Sequence, residues 1–293
     1  MTIKFMEGRF RGERYVAFNE SGEGLPSSLY KISLEKLCEA IGNVTEGAIA
    51  KDYLLQNVPA VKISNSDMKE FLPLPPLFPE ETDNIVVSGF MQTHNIKIES
   101  TRDTHGEIAL PNWFIKGLGS SIKLSGQPLL APKRAVALCE EAEVVLVYRS
   151  GNDGQPQYCG YTFGNDLTDI GRFKRNQGHL SYAKLCDAAI SGWFHIAQPP
   201  KNVSGEVSIE RDGMVTWCGS FKTGLNALGY RLSDMTEHLF SYPALNCPGR
   251  IHYVFIGADR SSFHSGFSMK DGDHIVLNFT SHDVVVSNTV QLA

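Results

Sequence analysis

From residue 85 onward the chain is cut into short apolar runs by turn-forming residues, and this punctuation leaves little open except a sheet architecture. The runs are Ile85–Phe90, Glu143–Tyr148, Tyr158–Phe163, Val207–Arg211, Met214–Trp217, His252–Ile256, His274–Phe279 and Asp283–Ser287. Each has strand length and is too short for a packed helix. Asp153-Gly154 and Asp212-Gly213 are dipeptides that favour two-residue hairpin turns. One helix is predicted in this region, Asp234 to Phe240, with Ser233 as its N-cap. Alternating strand–helix units are absent, as are a G-x-G-x-x-G fingerprint and a Walker A loop. The pattern predicts a β-rich α+β domain with a curled antiparallel or mixed sheet.

The first 82 residues read differently. Ser33 to Ile41 has helical spacing and stops at Gly42-Asn43. A second helix is predicted from Glu46 to Gln56. Pro73, Pro75, Pro76 and Pro79 follow, and this stretch reads as a proline-rich linker. The predicted organisation is a small N-terminal α/β domain, residues 1–82, and a larger domain, residues 83–293. With 27 Lys+Arg against 32 Asp+Glu, the chain lacks the basic face that tracking phosphates requires, so nucleic acid is not an expected partner. No apolar run approaches the length of a membrane-spanning helix, so no membrane partner is expected either. The N-terminal stretch lacks the apolar segment of a secretion signal. Six cysteines without a C-x-x-C pair suit buried, reduced thiols. A cytoplasmic location is expected, and the Asn-x-Ser/Thr triplets at Asn43 and Asn202 then carry no meaning.

The most informative stretch runs from Glu140 to Asp166. Glu141 and Glu143 are two apart at the start of a strand, so their side chains share one face. If Asp153-Gly154 forms a two-residue turn, Asn152 pairs with Gln155 and, counting outward, Glu141 lies opposite Asp166. Directly opposed residues point to the same face. Three carboxylates would then converge, and their repulsion calls for a neutralising group. A hard divalent cation, Mg²⁺, Mn²⁺ or Ca²⁺, is the natural one. The plain alternative is a solvated acidic edge, and a turn of another length would shift the register.

Other polar residues carry weaker signals. His94 follows a strand and could serve as a base or be structural. Ser100 to His105, with Arg102 and Asp103, could be a charged loop and no more. Lys184 lies among small and apolar residues, where it either snorkels or supplies charge to a site. His252, His264, His274 and His282 read as solvent-facing or hydrogen-bonded fillers.

Taken in order, E-x-E at Glu141 and Glu143, G-Y-T-x-G-N-D at Gly160 to Asp166 and Lys184 resemble the fumarylacetoacetate hydrolase superfamily. Pro248-Gly249, Phe255 to Gly257 and Gly272-Asp273 fall in that family's order. Within it the chain looks most like the 2-keto-3-deoxy-L-arabonate dehydratase-like branch. The supporting segments are Ser88-Gly89, Thr93-His94, Thr101-Arg102-Asp103 with His105, Pro111 to Gly117, Asp153 to Pro156 and Ala183 to Leu185. The resemblance covers residue 85 to the C-terminus.

It implies a β-roll of mixed sheets, usually a homodimer, with Glu141, Glu143 and Asp166 as ligands of Mg²⁺ or Mn²⁺. Lys184 would face a metal-bound 2-oxo acid substrate and stabilise its oxyanion. His94 would supply the base from a mobile segment, with Asp103 or Glu99 as candidates for its missing acidic partner. Lys116, Arg102 and His105 would bind or position substrate. Four positions depart from the family pattern: Lys97 stands where H-x-x-E has its glutamate, and Leu225, Arg250 and Ala258 replace customary rim residues. The preferred reading is a lyase or dehydratase of a 2-keto-3-deoxy sugar acid, working through a metal-bound enolate. The alternatives are a C–C hydrolase of a β-diketone or acylpyruvate, and a catalytically silent metal-binding scaffold.

Overall fold

The computed structural model describes residues 4–18, 28–42, 51–52, 55–56, 58–64, 66–97 and 109–293. All eight strands predicted from the sequence are present, several of them longer than their apolar runs. They divide between two sheets. The larger runs through Ala60–Lys62, Ser28–Lys31, Glu13–Phe18, Lys4–Phe10, Trp193–His195, Pro156–Asp166, Ala142–Ser150, Ile251–Phe255, Ile85–Met91 and Asn112–Leu118. It is mixed, because Ile251–Phe255 runs parallel to Ile85–Met91 and antiparallel to Ala142–Ser150. The smaller sheet is Met214–Thr223, Val203–Arg211, His274–Phe279, Val284–Leu292 and Leu129–Ala131. The fold is β-rich α+β, as predicted.

Alternation along Ala142–Ser150 builds two cores at once. Val144, Leu146 and Tyr148 face a cluster that includes Val207, Ile275, Leu277 and Val286 of the smaller sheet. Val145 and Val147 face the opposite cluster, with Phe5, Val16 and Leu37 from the N-terminal region. Both sides of this strand are buried, which explains its unbroken apolar run.

The N-terminal residues add to the same large sheet. Lys4–Phe10 pairs with both Glu13–Phe18 and Trp193–His195. The stretch read as a proline-rich linker is part of this arrangement. Leu72–Leu74 forms a strand against Glu7–Arg9, and the backbone N–H of Leu77 donates to the buried Glu7 carboxylate at 2.5 Å. Proline is tolerated there because the strand is short and lies off the main path of the sheet. The helix Leu34–Gly42 forms as predicted, and the Ser33 hydroxyl accepts from Lys36 N–H at 3.2 Å. The predicted Glu46–Gln56 helix lies largely outside the described residues.

Two local expectations need correction. The later helix is Leu232–Phe240, with Arg231 rather than Ser233 at its N-cap and no side-chain cap bond. An Arg231–Asp234 ion pair at 2.9 Å supports its first turn instead. The hairpin at Asp153-Gly154 is not a two-residue turn: Ser150 pairs with Pro156 around a five-residue loop, Gly151 to Gln155. A β-bulge between Val147 and Tyr148 leaves Cys159 as the extra residue and returns the pairing to Val147 with Gly160. The two departures offset each other, so the register at the far end is the predicted one. Gly160 suits the bulge, with φ 150° and a Cβ position that would lie 2.4 Å from the His195 carbonyl oxygen.

A candidate metal and substrate site at one end of the large sheet

Four strands of the large sheet present the same end to one place: Ala142–Ser150 begins there, and Pro156–Asp166, Ile85–Met91 and Ile251–Phe255 end there. Glu141 stands opposite Asp166, whose N–H donates to the Glu141 carbonyl at 3.0 Å. Glu141, Glu143 and Asp166 converge, with one oxygen from each within 4.8 Å of the others, and all three are buried. The convergence predicted from period-two geometry is present.

Buried lysines offset much of this charge. Lys184 Nζ donates to Glu141, to Asp166 at 2.5 Å and to the Thr168 hydroxyl at 2.9 Å, and it lies over the Phe114 ring. These three partners use all three ammonium donors. Lys116 Nζ is 2.7 Å from Asp166 Oδ1 and donates to the Leu167 and Lys184 carbonyls at 2.7 and 3.1 Å. Burial alone would raise the Asp166 pKa, but Lys116 and Lys184 reverse this and hold it below the usual range. Burial would likewise strip Lys184 of its proton, and Asp166 and Glu141 hold its pKa above the ordinary lysine value instead.

Glu143 differs. One carboxylate oxygen accepts from Gly257 N–H at 2.6 Å, and the other has no hydrogen-bond partner. Burial, then Asp166 and Glu141, push its pKa well above the carboxylate range. A buried carboxylate oxygen left without a partner inside an acidic triad is what a hard cation would satisfy. The three side chains form an all-oxygen donor set of the kind Mg²⁺ and Mn²⁺ accept. Gly257 is obligatory in this arrangement: its φ is 107°, and a Cβ there would lie 2.0 Å from the Thr93 hydroxyl.

A cavity of about 290 Å³ opens over Glu141 and Glu143. Phe90, Met91, Ile96, Ile170 and Phe173 give it apolar walls, and Gln92, Lys97, Lys174 and His264 are its other polar residues. Asp169 anchors the helix Ile170–Arg175, accepting from the N–H groups of Val136, Ala137 and Arg172. Of the four positions that depart from the family pattern, Lys97 and Ala258 line the cavity and Leu225 and Arg250 do not. Lys97 Nζ donates to the Ala258 carbonyl at 2.8 Å.

The other expected site residues fall in different places. His94 is buried and bridges Leu228 through its backbone, but it does not line the cavity, and burial and then Lys97 push its pKa down to about 4. Lys184 and Lys116 sit behind the cavity, on the carboxylates. Glu99, Arg102, Asp103 and His105 lie outside the described residues. His264, read as a filler, is on the cavity wall. Glu140 is a residue that sequence reasoning passed over. Its buried carboxylate accepts from the Ser262 N–H at 2.7 Å and hydroxyl at 2.6 Å, tying the turn that carries His264 to the residue before Glu141. The E-E-x-E run held that signal, but not the partner 122 residues away.

Burial also makes the fold's stability depend on pH. It raises Glu7 and Glu140 to about 7 and Glu143 well above the ordinary carboxylate range. It lowers His94, His195 and His252 to about 4, 3 and 4. Raised carboxyls favour the fold at low pH, and that contribution is lost as pH climbs from about 4.5 through the folded values. Depressed imidazoles favour it above about 6.5, and that contribution is lost as pH falls toward 4. The metal-free protein is therefore expected to be most stable between about pH 4.5 and 6.5 and to weaken on both sides. Urea midpoints measured from pH 4 to 9 check this; a steady rise up to pH 8 would contradict it.

The fold is shared with known structures. A 2-keto-3-deoxyarabinonate dehydratase superimposes with a TM-score of 0.70 at 15% identity, covering 99% of each chain. 2-Keto-3-deoxy-D-arabinonate dehydratase complexed with magnesium and 2,5-dioxopentanoate gives 0.68 at 16% identity, again over 99% of each chain. 5-Carboxymethyl-2-hydroxymuconate delta-isomerase from Mycobacterium smegmatis gives 0.61 at 16% identity over 99% of each chain. The chain thus has the fumarylacetoacetate hydrolase-type fold. No protein-family sequence profile matches it, and no curated protein matches it by sequence. Among the described residues, no helix is long and apolar enough to cross a membrane.

Proposed function

We propose that this protein is a divalent-metal-dependent enzyme that binds a 2-oxo acid and reacts it through an enolate, with C–O cleavage of a 2-keto-3-deoxy acid as the preferred reaction. The observation that carries this reading is the buried triad Glu141, Glu143 and Asp166, with its unpartnered Glu143 oxygen at the floor of a small cavity. The magnesium and 2,5-dioxopentanoate held by the structurally similar dehydratase support the same choice of ion and ligand class. Mg²⁺ or Mn²⁺ bound here would supply Lewis acidity to a 2-oxo acid carbonyl. Lys116 and Lys184 keep Asp166 ionised, and Gly257 N–H orients Glu143. Lys184, which donates to Glu141 and Asp166, is the candidate donor for a developing oxyanion, and it would have to release one of its three present partners to serve. The apolar walls around Phe90, Ile170 and Phe173 limit water at the reacting carbons. His94, outside the cavity, is not assigned a proton-transfer step.

A homodimer is part of the proposal. Met214–Thr223 is an edge strand with Met214 and Val215 exposed, and edges of this kind are commonly covered by pairing. The decisive experiment is a titration with Mn²⁺ on the wild type and on Glu143→Gln, together with light scattering of the same samples. The wild type should bind one ion per chain, as a dimer, and Glu143→Gln should lose at least about tenfold in affinity, since a neutral amide replaces an anionic ligand. Equal Mn²⁺ affinity in the two would remove the basis for the assignment. Dehydration of 2-keto-3-deoxy acids by the loaded protein would select the lyase reading, and turnover of acylpyruvates the hydrolase reading.

A further inference from the structure

We infer that Gln92 is a specificity residue that reads the hydroxyl on carbon 4 of a 2-keto-3-deoxy acid, and that the fold holds a strained backbone to keep it at the cavity. This deepens the reading that the cavity over the triad takes such an acid, and it rests on that reading. Gln92 has φ 60°, in the left-handed region that glycine enters freely and a residue with a Cβ does not. Among the described residues, Arg11, Leu77, Asp212 and Asp283 are the other non-glycine positions with positive φ, and all four lie in turns. Gln92 instead follows the last residue of the Ile85–Met91 strand and lines the cavity together with Glu141 and Glu143.

Both of its neighbours are fixed. Met91 still pairs with Asn112. The Thr93 hydroxyl donates to the Ile256 carbonyl at 2.7 Å, and the Thr93 carbonyl accepts from Gly229 N–H at 2.8 Å. The change of chain direction between them therefore falls on Gln92. Strain of this kind persists only where the surroundings over-determine it, and it gathers at ligand sites. Glycine would relieve it. Glutamine instead keeps a partly buried side chain whose amide bonds to no described residue. Gln92 is the one amide of the described lining. Lys97 and Lys174 donate without accepting, and Lys97 is already bound to the Ala258 carbonyl. His264 Nδ1 is taken by Ser261 N–H at 3.3 Å. A hydroxyl both donates and accepts, so it can use either end of an amide, whereas a carboxylate has nothing to give the amide oxygen. Carbon 4 is the first carbon of a 2-keto-3-deoxy acid to carry a hydroxyl. At about 290 Å³ the cavity is small for a ligand site, which keeps that carbon close to the walls.

Two substitutions separate the strain from the amide. Gln92→Met keeps the size and the backbone strain and removes the amide; Gln92→Gly removes both. The probes are 4-hydroxy-2-oxovalerate and 2-oxovalerate, which differ only in the hydroxyl, with binding to the Mn²⁺-loaded protein read by stopped flow on mixing. The wild type should prefer the hydroxy acid by about fivefold or more, the size of one neutral hydrogen bond. Both variants should cut that preference to about twofold or less and keep their Mn²⁺ affinity. Gln92→Gly alone should raise the urea midpoint of the metal-free protein, because relief of the left-handed backbone outweighs the extra freedom of glycine in the unfolded chain. A merely structural Gln92 would give the change in midpoint without the change in preference. Equal affinity for the two acids in the wild type, a preference that survives Gln92→Met, or a midpoint that falls in Gln92→Gly would overturn the inference. If the loaded wild type binds neither acid, the 2-oxo acid reading itself fails, and the role of Gln92 with it.

Discussion

Replacing Lys184 with methionine is expected to destabilise the metal-free protein by about 3–5 kcal/mol, the usual cost of removing one partner from a buried ion pair. The Lys184 side chain is 1% exposed, and its ammonium is shared by Glu141, Asp166 and Thr168. Methionine fills similar space but leaves Glu141 without its counter-ion and Asp166 with Lys116 alone. The variant should also respond to Mn²⁺ more strongly than the wild type, because the ion would then be the main neutraliser of the triad. At a hundredfold excess over Kd, ligand binding alone adds about 2.7 kcal/mol. Urea unfolding in EDTA and in Mn²⁺ measures both effects. A loss under about 1 kcal/mol in EDTA would mean that the ammonium is not what holds the carboxylates together.

Asp166→Ala should be as damaging and should respond to metal in the opposite way. Asp166 lies between two buried lysines, with Lys116 at 2.7 Å and Lys184 at 2.5 Å. Without it Lys116 keeps only carbonyl partners, and about 3–5 kcal/mol is again the expected loss. Here Mn²⁺ should give little rescue, because the substitution removes a ligand together with the counter-charge. Stabilisation of Asp166→Ala by Mn²⁺ equal to that of the wild type would take Asp166 out of the metal site. Comparison of the two variants separates charge balance from ligation, which neither achieves alone.

The carboxylate cluster was legible in the sequence because it depends on period-two geometry and on one register. The register survived an error in the turn, since the bulge at Cys159 compensates for the longer Gly151–Gln155 loop; neither departure has a clear signal in residue type. Eight of the strands from residue 85 onward were legible for a related reason, their apolar runs being long enough to stand out. The N-terminal strands were not. In Lys4–Phe10 the charged Glu7 is a fully buried position, held by Arg14 at 2.7 Å and by Leu77 N–H, and such a residue hides the pattern of a buried strand. Asn112–Leu118 was missed because Lys116 occupies one of its buried positions. Lys184 and His264 mark the limit most clearly. Whether a lysine snorkels or neutralises a site, and whether a histidine fills or faces a cavity, depends on side chains far away in sequence.

The pairing of the first strand has a consequence for synthesis on the ribosome. Phe5 pairs on one side with Phe18, through a tight turn at Arg11-Gly12, and on the other with Phe194. The hairpin can close as soon as it emerges and Leu72–Leu74 covers Glu7–Arg9 next, whereas the partner of Lys4–Met6 is made only after a stretch of about 175 residues beyond Phe18. At roughly 5–20 residues per second, this part of the strand edge waits about ten to forty seconds for its neighbour. The chain in that interval presents an open strand edge to whatever is nearby, so slower translation would favour capture by chaperones, and faster completion would favour correct closure.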